Sequence, residues 1–323
     1  MTNDVRGSYV IDVGNYLKQL QDSICAAFEA ADPGHHFRED LFSTEMHFAR
    51  PRVLSDGAVF EKAVVNFSQA SARQLPPAAL QLRPQLADRS FDFTSLSVIA
   101  HPANPFVPAA HANLRFFEAP SERSSPEWWF GGGLDLSPCY GFEEDAIHWH
   151  RNAYSACKAF GSSLYSQFKR QCDDYFFLPH RGEPRGIGGL FFDNLQLDDV
   201  HRTFALIRSI GNAFLPGYLP IVLRRKDHPF GPRERAFQLY RRGRYVEFNL
   251  LCDRGTLFGL QSGRRVESVL AALPPVVAWT YQWHPDSGSE EERLCQVFLK
   301  AKDWLATTSD EVSVIGHNTN SIS

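Results

Sequence analysis

Apolar residues recur at three- and four-residue spacing through Tyr16, Leu17, Leu20, Ile24, Ala27 and Phe28, and Asp32-Pro33-Gly34 stops the run. That spacing predicts a first helix. From about Met46 to Leu136 the texture changes to alternating β-branched and aromatic segments, and residues 59–67, 95–101 and 111–118 read as strands. Residues 70–90, rich in Pro, Ala and Gln, read as a long surface connection. After Ser137-Pro138 the pattern turns helical, with Glu143, Glu144 and Asp145 placing negative charge in an opening turn. Further helices are expected over 162–177, 198–225, 233–241, 265–273 and 290–305, and short strands over 188–192, 245–251 and 276–283. Strands come first, then helices with single strands, and no regular βαβ alternation occurs. This order predicts an α+β fold with a largely antiparallel sheet. The polar, Ser- and Asn-rich stretch 307–323 is expected to be a disordered tail.

Composition narrows the function. The 323 residues carry a net charge of −4, which demotes a dedicated nucleic-acid binder. Six cysteines are scattered without CxxC spacing, so zinc-ribbon and thioredoxin-type sites lack support and the thiols read as reduced. The start of the chain lacks the long apolar run of a secretory signal, and no stretch of eighteen apolar residues offers a membrane span. A cytoplasmic protein is expected. Phenylalanine is abundant, at 26 residues, which predicts a Phe-rich core or a cavity for a flat apolar ligand.

Two glycine motifs fail as nucleotide loops. Gly186-Ile187-Gly188-Gly189 is followed by Leu190-Phe191-Phe192 in a strand pattern, and Gly131-Gly132-Gly133 lacks the Lys-Ser/Thr of a phosphate loop. Both read as places where the backbone bends or approaches something closely. The strand from His111 is more informative. His111, Asn113 and Arg115 share one face and Ala112, Leu114 and Phe116 the other, while Ser97, Ile99 and His101 share a face of the preceding strand. If the two strands pair as a hairpin, a polar site converges there; otherwise they form a half-exposed sheet. His148 and His150 point about 200° apart on a helix, so at most one can serve a given pocket. His180 reads as a helix-terminus partner. The clusters Arg224-Arg225-Lys226, Arg241-Arg242-Gly243-Arg244 and Arg264-Arg265 read as solvated faces or local anion-attracting patches.

Several long runs resemble one family, the oxygen-dependent coproporphyrinogen III oxidases of haem biosynthesis. They are the runs 128–138 (WWFGGGLDLSP), 144–150 (EDAIHWH), 171–176 (QCDDYF), 185–193 (RGIGGLFFD) and 240–250 (YRRGRYVEFNL). The resemblance covers nearly everything from Tyr16 to Trp304. It implies a single domain over 1–306, with a large antiparallel sheet flanked by helices on both faces. It also implies a homodimer, with its surface around Tyr245–Val277. The implied reaction turns two propionates of coproporphyrinogen III into vinyls with O2, giving protoporphyrinogen IX, CO2 and H2O2, without an organic cofactor. The resemblance assigns substrate binding to Ser97, Asn113, Leu114, Arg115, Asp135, Asp253, Arg254, Gly263, Arg264 and Arg265. His111 matches the proposed proton donor, and Asp135 an acid suited to accept pyrrole N–H groups; Arg115 completes the implied catalytic set. His101, His111, His150 and His180 match positions assigned to a divalent metal in bacterial members, a metal that turnover is not expected to require. The chain departs from the family at Met46-His47-Phe48-Ala49, where a glycine-rich run is expected, and at Val64 and Asn194, where a glycine and an acid are expected. A noncatalytic tetrapyrrole-binding relative and a histidine-ligated metal oxygenase are the alternative readings.

Overall fold

The computed structural model describes residues 9–73, 83–87, 89–120, 126–261 and 265–306. The 307–323 tail therefore lies outside the described residues. Helix α1 (Tyr9–Ala31) buries Val13, Leu17, Leu20, Ile24 and Phe28 along one side, as its spacing predicts. Two short strands follow, β1 (Arg38–Glu39) and β2 (Phe42–Ser43), then a long meander. Its strands are β3 (His47–Ser55), β4 (Phe60–Ala72), β5 (Phe91–Pro102), β6 (Ala109–Ala119) and β7 (Glu127–Ser137). After helices α2 (Glu143–Cys157) and α3 (Leu164–Tyr175), β8 (Phe177–Leu178) and β9 (Glu183–Pro184) form a separate two-stranded ribbon. Strand β10 (Gly188–Leu195) then returns to pair with β7. The sheet has eight strands in the order β1-β3-β4-β5-β6-β7-β10, with β2 also on β3, and its pairs are antiparallel. The fold is α+β.

Alternation divides the sheet into two unlike faces. Ala63, Val65, Phe67, Leu96, Val98, Leu114, Phe116, Phe130 and Leu134 are buried in the main core. Helices α1 and α4 (Val200–Arg225) cover them, and Phe28 stacks on Phe60 at 4.4 Å between ring centroids. Helix α4 is the one helix among the described residues long and apolar enough to cross a membrane, but 56% of that stretch is buried. Its Leu206, Ile207, Ile210, Phe214, Tyr218 and Ile221 belong to the core. Pro220 lacks the N–H that would bond the Pro216 carbonyl, and His148 Nε2 donates to that carbonyl instead at 3.0 Å. The other face is partly covered by α5 (Pro232–Leu251), through Tyr245 against His101 and Phe248 against Phe176, followed by α6 (Arg254–Gln261) and α7 (Val266–Leu270).

Three expectations in the last third are corrected. Residues 245–251 continue α5 and do not form a strand. Residues 241–249 are buried almost throughout, so no polar stripe marks a helical period there. Residues 276–283 form no strand either. This stretch lies across α5, with Ala278 N–H bonded to the Leu239 carbonyl and Trp279 Nε1 to Glu247. The last helix is short, because Glu290–Arg293 passes into a π turn at Leu294–Phe298. The chain then turns, and Trp304 stacks on Phe298 at 5.2 Å. The basic clusters also change character. Arg241, Arg242 and Arg244 are buried and pair with Glu183 and Glu61, while Arg224 and Arg225 pair with Asp145 and Glu144 at the start of α2. The α5 pairs are internal, whereas Arg224 and Glu144, 41% and 60% exposed in their side chains, keep the other cluster at the surface.

Candidate active site

The polar site sits on the second sheet face, where β5, β6 and β7 lie side by side. The predicted hairpin forms, with Ser97 opposite Asn113 and Ile99 opposite His111. On the other side of β6, His111 faces Asp135, Asn113 faces Gly133 and Arg115 faces Gly131. The glycines have a steric cause. A Cβ on Gly131 would stand 2.5 Å from Arg115 Nε, and one on Gly133 would stand 2.2 Å from the Leu190 carbonyl oxygen. The run thus leaves space for the Arg115 side chain and for close strand packing.

Asp135 is the buried centre, 2% exposed. Arg185 donates through Nη2 to both its oxygens, at 2.9 and 2.8 Å, and His111 Nδ1 contacts Oδ1 at 2.8 Å. Burial alone would raise this carboxyl, but Arg185 and then His111 outweigh it and hold it below the usual carboxylate range. An ionised carboxylate only accepts, so His111 carries its proton on Nδ1 and leaves Nε2 for a bound ligand. Arg185 is itself fully enclosed. Burial works against its charge, Asp135 restores it, and the rings of Phe176, Tyr245 and Phe248 lie 4.2, 4.6 and 4.7 Å from its guanidinium carbon. Neighbouring charges thus keep Asp135 ionised in a pocket that burial alone would neutralise.

The rim is more open. Arg115 Nη1 donates to Asn113 Oδ1 at 3.2 Å, and its Nη2 to Asp193 Oδ1 at 3.1 Å. Arg254 meets the other oxygen of Asp193 at 3.2 Å and lies over the Tyr175 ring. Asp253 caps α6, accepting from Thr256 N–H at 2.7 Å, and takes the Tyr175 hydroxyl at 2.9 Å. Arg265 pairs with Asp40 near the far edge of the sheet at 2.8 Å, while Gly263 and Arg264 lie outside the described residues. The Leu114 side chain is 4% exposed in the core on the opposite face, so only its backbone faces this site.

The four histidines matched to metal ligands have separate partners. His101 Nε2 bonds the Ala272 carbonyl, His150 bonds the Tyr165 hydroxyl and the Ile187 carbonyl, His180 bonds Glu247, and His111 bonds Asp135. Burial pushes His101 and His150 down to about 3, so both rings are neutral. Among the described residues, no group of three or more His, Cys, Asp or Glu side chains is placed to hold a metal ion. The donor set implied by the resemblance does not fit one metal. Arg185 and Asp193 are the site residues that pattern reading missed. Arg185 does precede a glycine run whose tight strand contacts mark the same place.

Together these features define a class: an α+β enzyme whose sheet face presents a charged carboxylate–imidazole pair between aromatic walls, with an arginine rim suited to carboxylates. The profile of the coproporphyrinogen III oxidase family matches residues 12–304, and the chain belongs to that family. It is therefore an oxidoreductase of haem biosynthesis whose reaction decarboxylates coproporphyrinogen III.

Proposed function

We propose that the chain uses molecular oxygen as the oxidant, converting two propionates of coproporphyrinogen III to vinyls and giving protoporphyrinogen IX, CO2 and H2O2. The observation that carries this reading is the enclosed Arg185–Asp135–His111 group, opening onto a face rimmed by Arg115 and Arg254. At each propionate the bond to the carboxylate carbon breaks, CO2 leaves, and the side chain gives up one proton and two electrons. O2 takes both electrons and two protons, so each H2O2 needs one proton more than the side chain releases. Electron-rich pyrroles can supply the electrons directly, so no organic cofactor is assigned. His111 Nε2 is the proton-transfer group in this reading. Asp135 fixes its tautomer and balances the charge of the protonated ring. Arg115, Arg254, Asn113 and Ser97 hold carboxylates and orient the ring. No step is routed through a metal, because the histidines are separately engaged.

A homodimer is part of the proposal. Large apolar side chains, including Leu251, Val266, Val276, Trp279 and Tyr281, are exposed along 251–281, which supports a covered surface there. Six unpaired cysteines support a cytoplasmic location. The test is to mix coproporphyrinogen III with the protein without O2, admit O2, and follow products by chromatography with a peroxide assay. Divinyl product and H2O2 should arise only after O2 enters. Product formed without O2 contradicts the oxidant. Tight binding with no product in air supports the noncatalytic alternative.

A further inference from the structure

Asp193 holds two of the cations that the proposed function gives to substrate carboxylates. Its Oδ1 accepts from Arg115 on the sheet, and its Oδ2 from Arg254 at the start of α6. Arg115 and Asp193 are 24% and 28% exposed in their side chains and Arg254 is 57% exposed, so an incoming anion can reach all three. The backbone sets this position. The register of β10 against β7 shifts between Phe192 and Leu195, Asn194 takes a left-handed φ of 51°, and its N–H donates to Asp193 Oδ1. Such an irregularity re-aims a side chain at the end of a strand. Asn194 is neutral, so a single carboxylate answers two guanidiniums. We infer that Asp193 is a specificity-determining residue of this site, a resident carboxylate that a substrate propionate must displace from Arg115 and Arg254.

The inference rests on the proposed placement of substrate carboxylates, and it carries a sign that a purely positioning role does not. A propionate approaching the two arginines must break two existing charge-assisted hydrogen bonds and meets the like charge of Asp193. Removing that charge leaves the arginines partly uncompensated in the empty protein, so a carboxylate ligand gains. If Asp193 only splinted the arginines, its removal would weaken binding. The same carboxylate keeps the empty rim from holding unrelated anions tightly, which is how a built-in competitor raises discrimination.

The experiment compares the full chain with Asp193→Asn and Asp193→Ser. It measures binding of coproporphyrin III, a coloured tetracarboxylate, and of its tetramethyl ester, in which the charges are blocked. For coproporphyrin III, Kd should fall roughly tenfold in both variants, the scale of one competing charge-assisted pair at a partly exposed site. Binding of the ester should not change, and KM for coproporphyrinogen III should fall in parallel. Weaker or unchanged coproporphyrin III binding overturns the inference, as does equal tightening for the ester. An unsubstituted protein that binds neither probe overturns the functional reading and this inference with it.

Discussion

The two faces of the sheet are built from alternate residues of the same strands, and they are held by different physics. On the α1/α4 side, Phe67, Leu96, Leu114, Phe116 and Phe130 are 0–4% exposed and gain by leaving water. On the other side, residues one position along provide His111, Asn113, Arg115 and Asp135, held by ion pairs and aromatic rings. The apolar face can change shape only at a cost in stability. The polar face confines charge in a low-dielectric pocket, where losing one partner strands the other. Stability is thus shared by both faces, whereas the proposed chemistry belongs to one.

The largest expected effects separate those roles. Phe67→Ala should cost about 3–5 kcal/mol of folding stability, because a fully buried ring leaves a cavity. Turnover per folded molecule should persist. Arg185→Met should cost a similar amount, about 3–5 kcal/mol, by removing the buried cation that compensates the Asp135 charge in the interior. Here turnover should be lost as well. Adding Asp135→Leu to Arg185→Met should recover much of the stability and none of the activity. Urea unfolding with turnover corrected for the folded fraction checks all three. Activity restored in the double variant would place catalysis elsewhere.

A smaller effect is expected at the rim. Arg115→Ala should weaken substrate binding by about 1.5–3 kcal/mol, the range for a charge-assisted pair. Arg52→Ala should change it little, because Arg52 on β3 pairs with Asp22 of α1 and Glu39 of β1. KM for coproporphyrinogen III measures both. Equal, small changes would mean that the His111–Arg115 face is not the pocket.

These residues differ in how far they could be read from the chain. The polar face was most legible on β6, because a period of two survives where one side of a strand is buried and the other is not, as from His111 to Phe116. Arg185 was not, because a charged side chain in a short loop gives no sign that it turns inward to a carboxylate fifty residues away in sequence. Asp193 escaped for a related reason, since its aim depends on a register shift between β10 and β7. Around Tyr245–Leu251 the aromatic and β-branched residues suggested a strand. The polar residues that would have revealed a helical period, Arg241, Arg244 and Glu247, are buried in ion pairs. Charge normally marks the outside, and the reading fails where charge is internal.

The response to acid is spread over several pH units. His101 and His150, buried and neutral, titrate near 3 in the folded protein against an ordinary value of 6.5. Between those values the unfolded chain binds protons that the folded protein does not, so stability falls as pH drops below about 6.5. Each ring contributes a slope of up to about 1.4 kcal/mol per pH unit. Asp135, held below its ordinary value, adds its own loss only at lower pH, as its carboxylate protonates. Unfolding measured from pH 7 to 4 should show the slope, and His150→Asn should roughly halve it. A flat profile in the unsubstituted protein would mean that these rings are not sealed.

The most direct test of the central claim, that the enclosed Arg185–Asp135–His111 group drives the chemistry, is kcat, KM and melting temperature for Asp135→Asn. The substitution keeps the shape of the side chain and removes the charge that sets the His111 tautomer and balances Arg185. Measured at a temperature where both proteins are folded, kcat should fall roughly 10²–10³-fold, the usual scale for one electrostatic group at a reacting centre, and KM should change far less. A kcat close to that of the unsubstituted protein, with only the melting temperature lowered, would contradict the account and leave Asp135 a structural partner of Arg185.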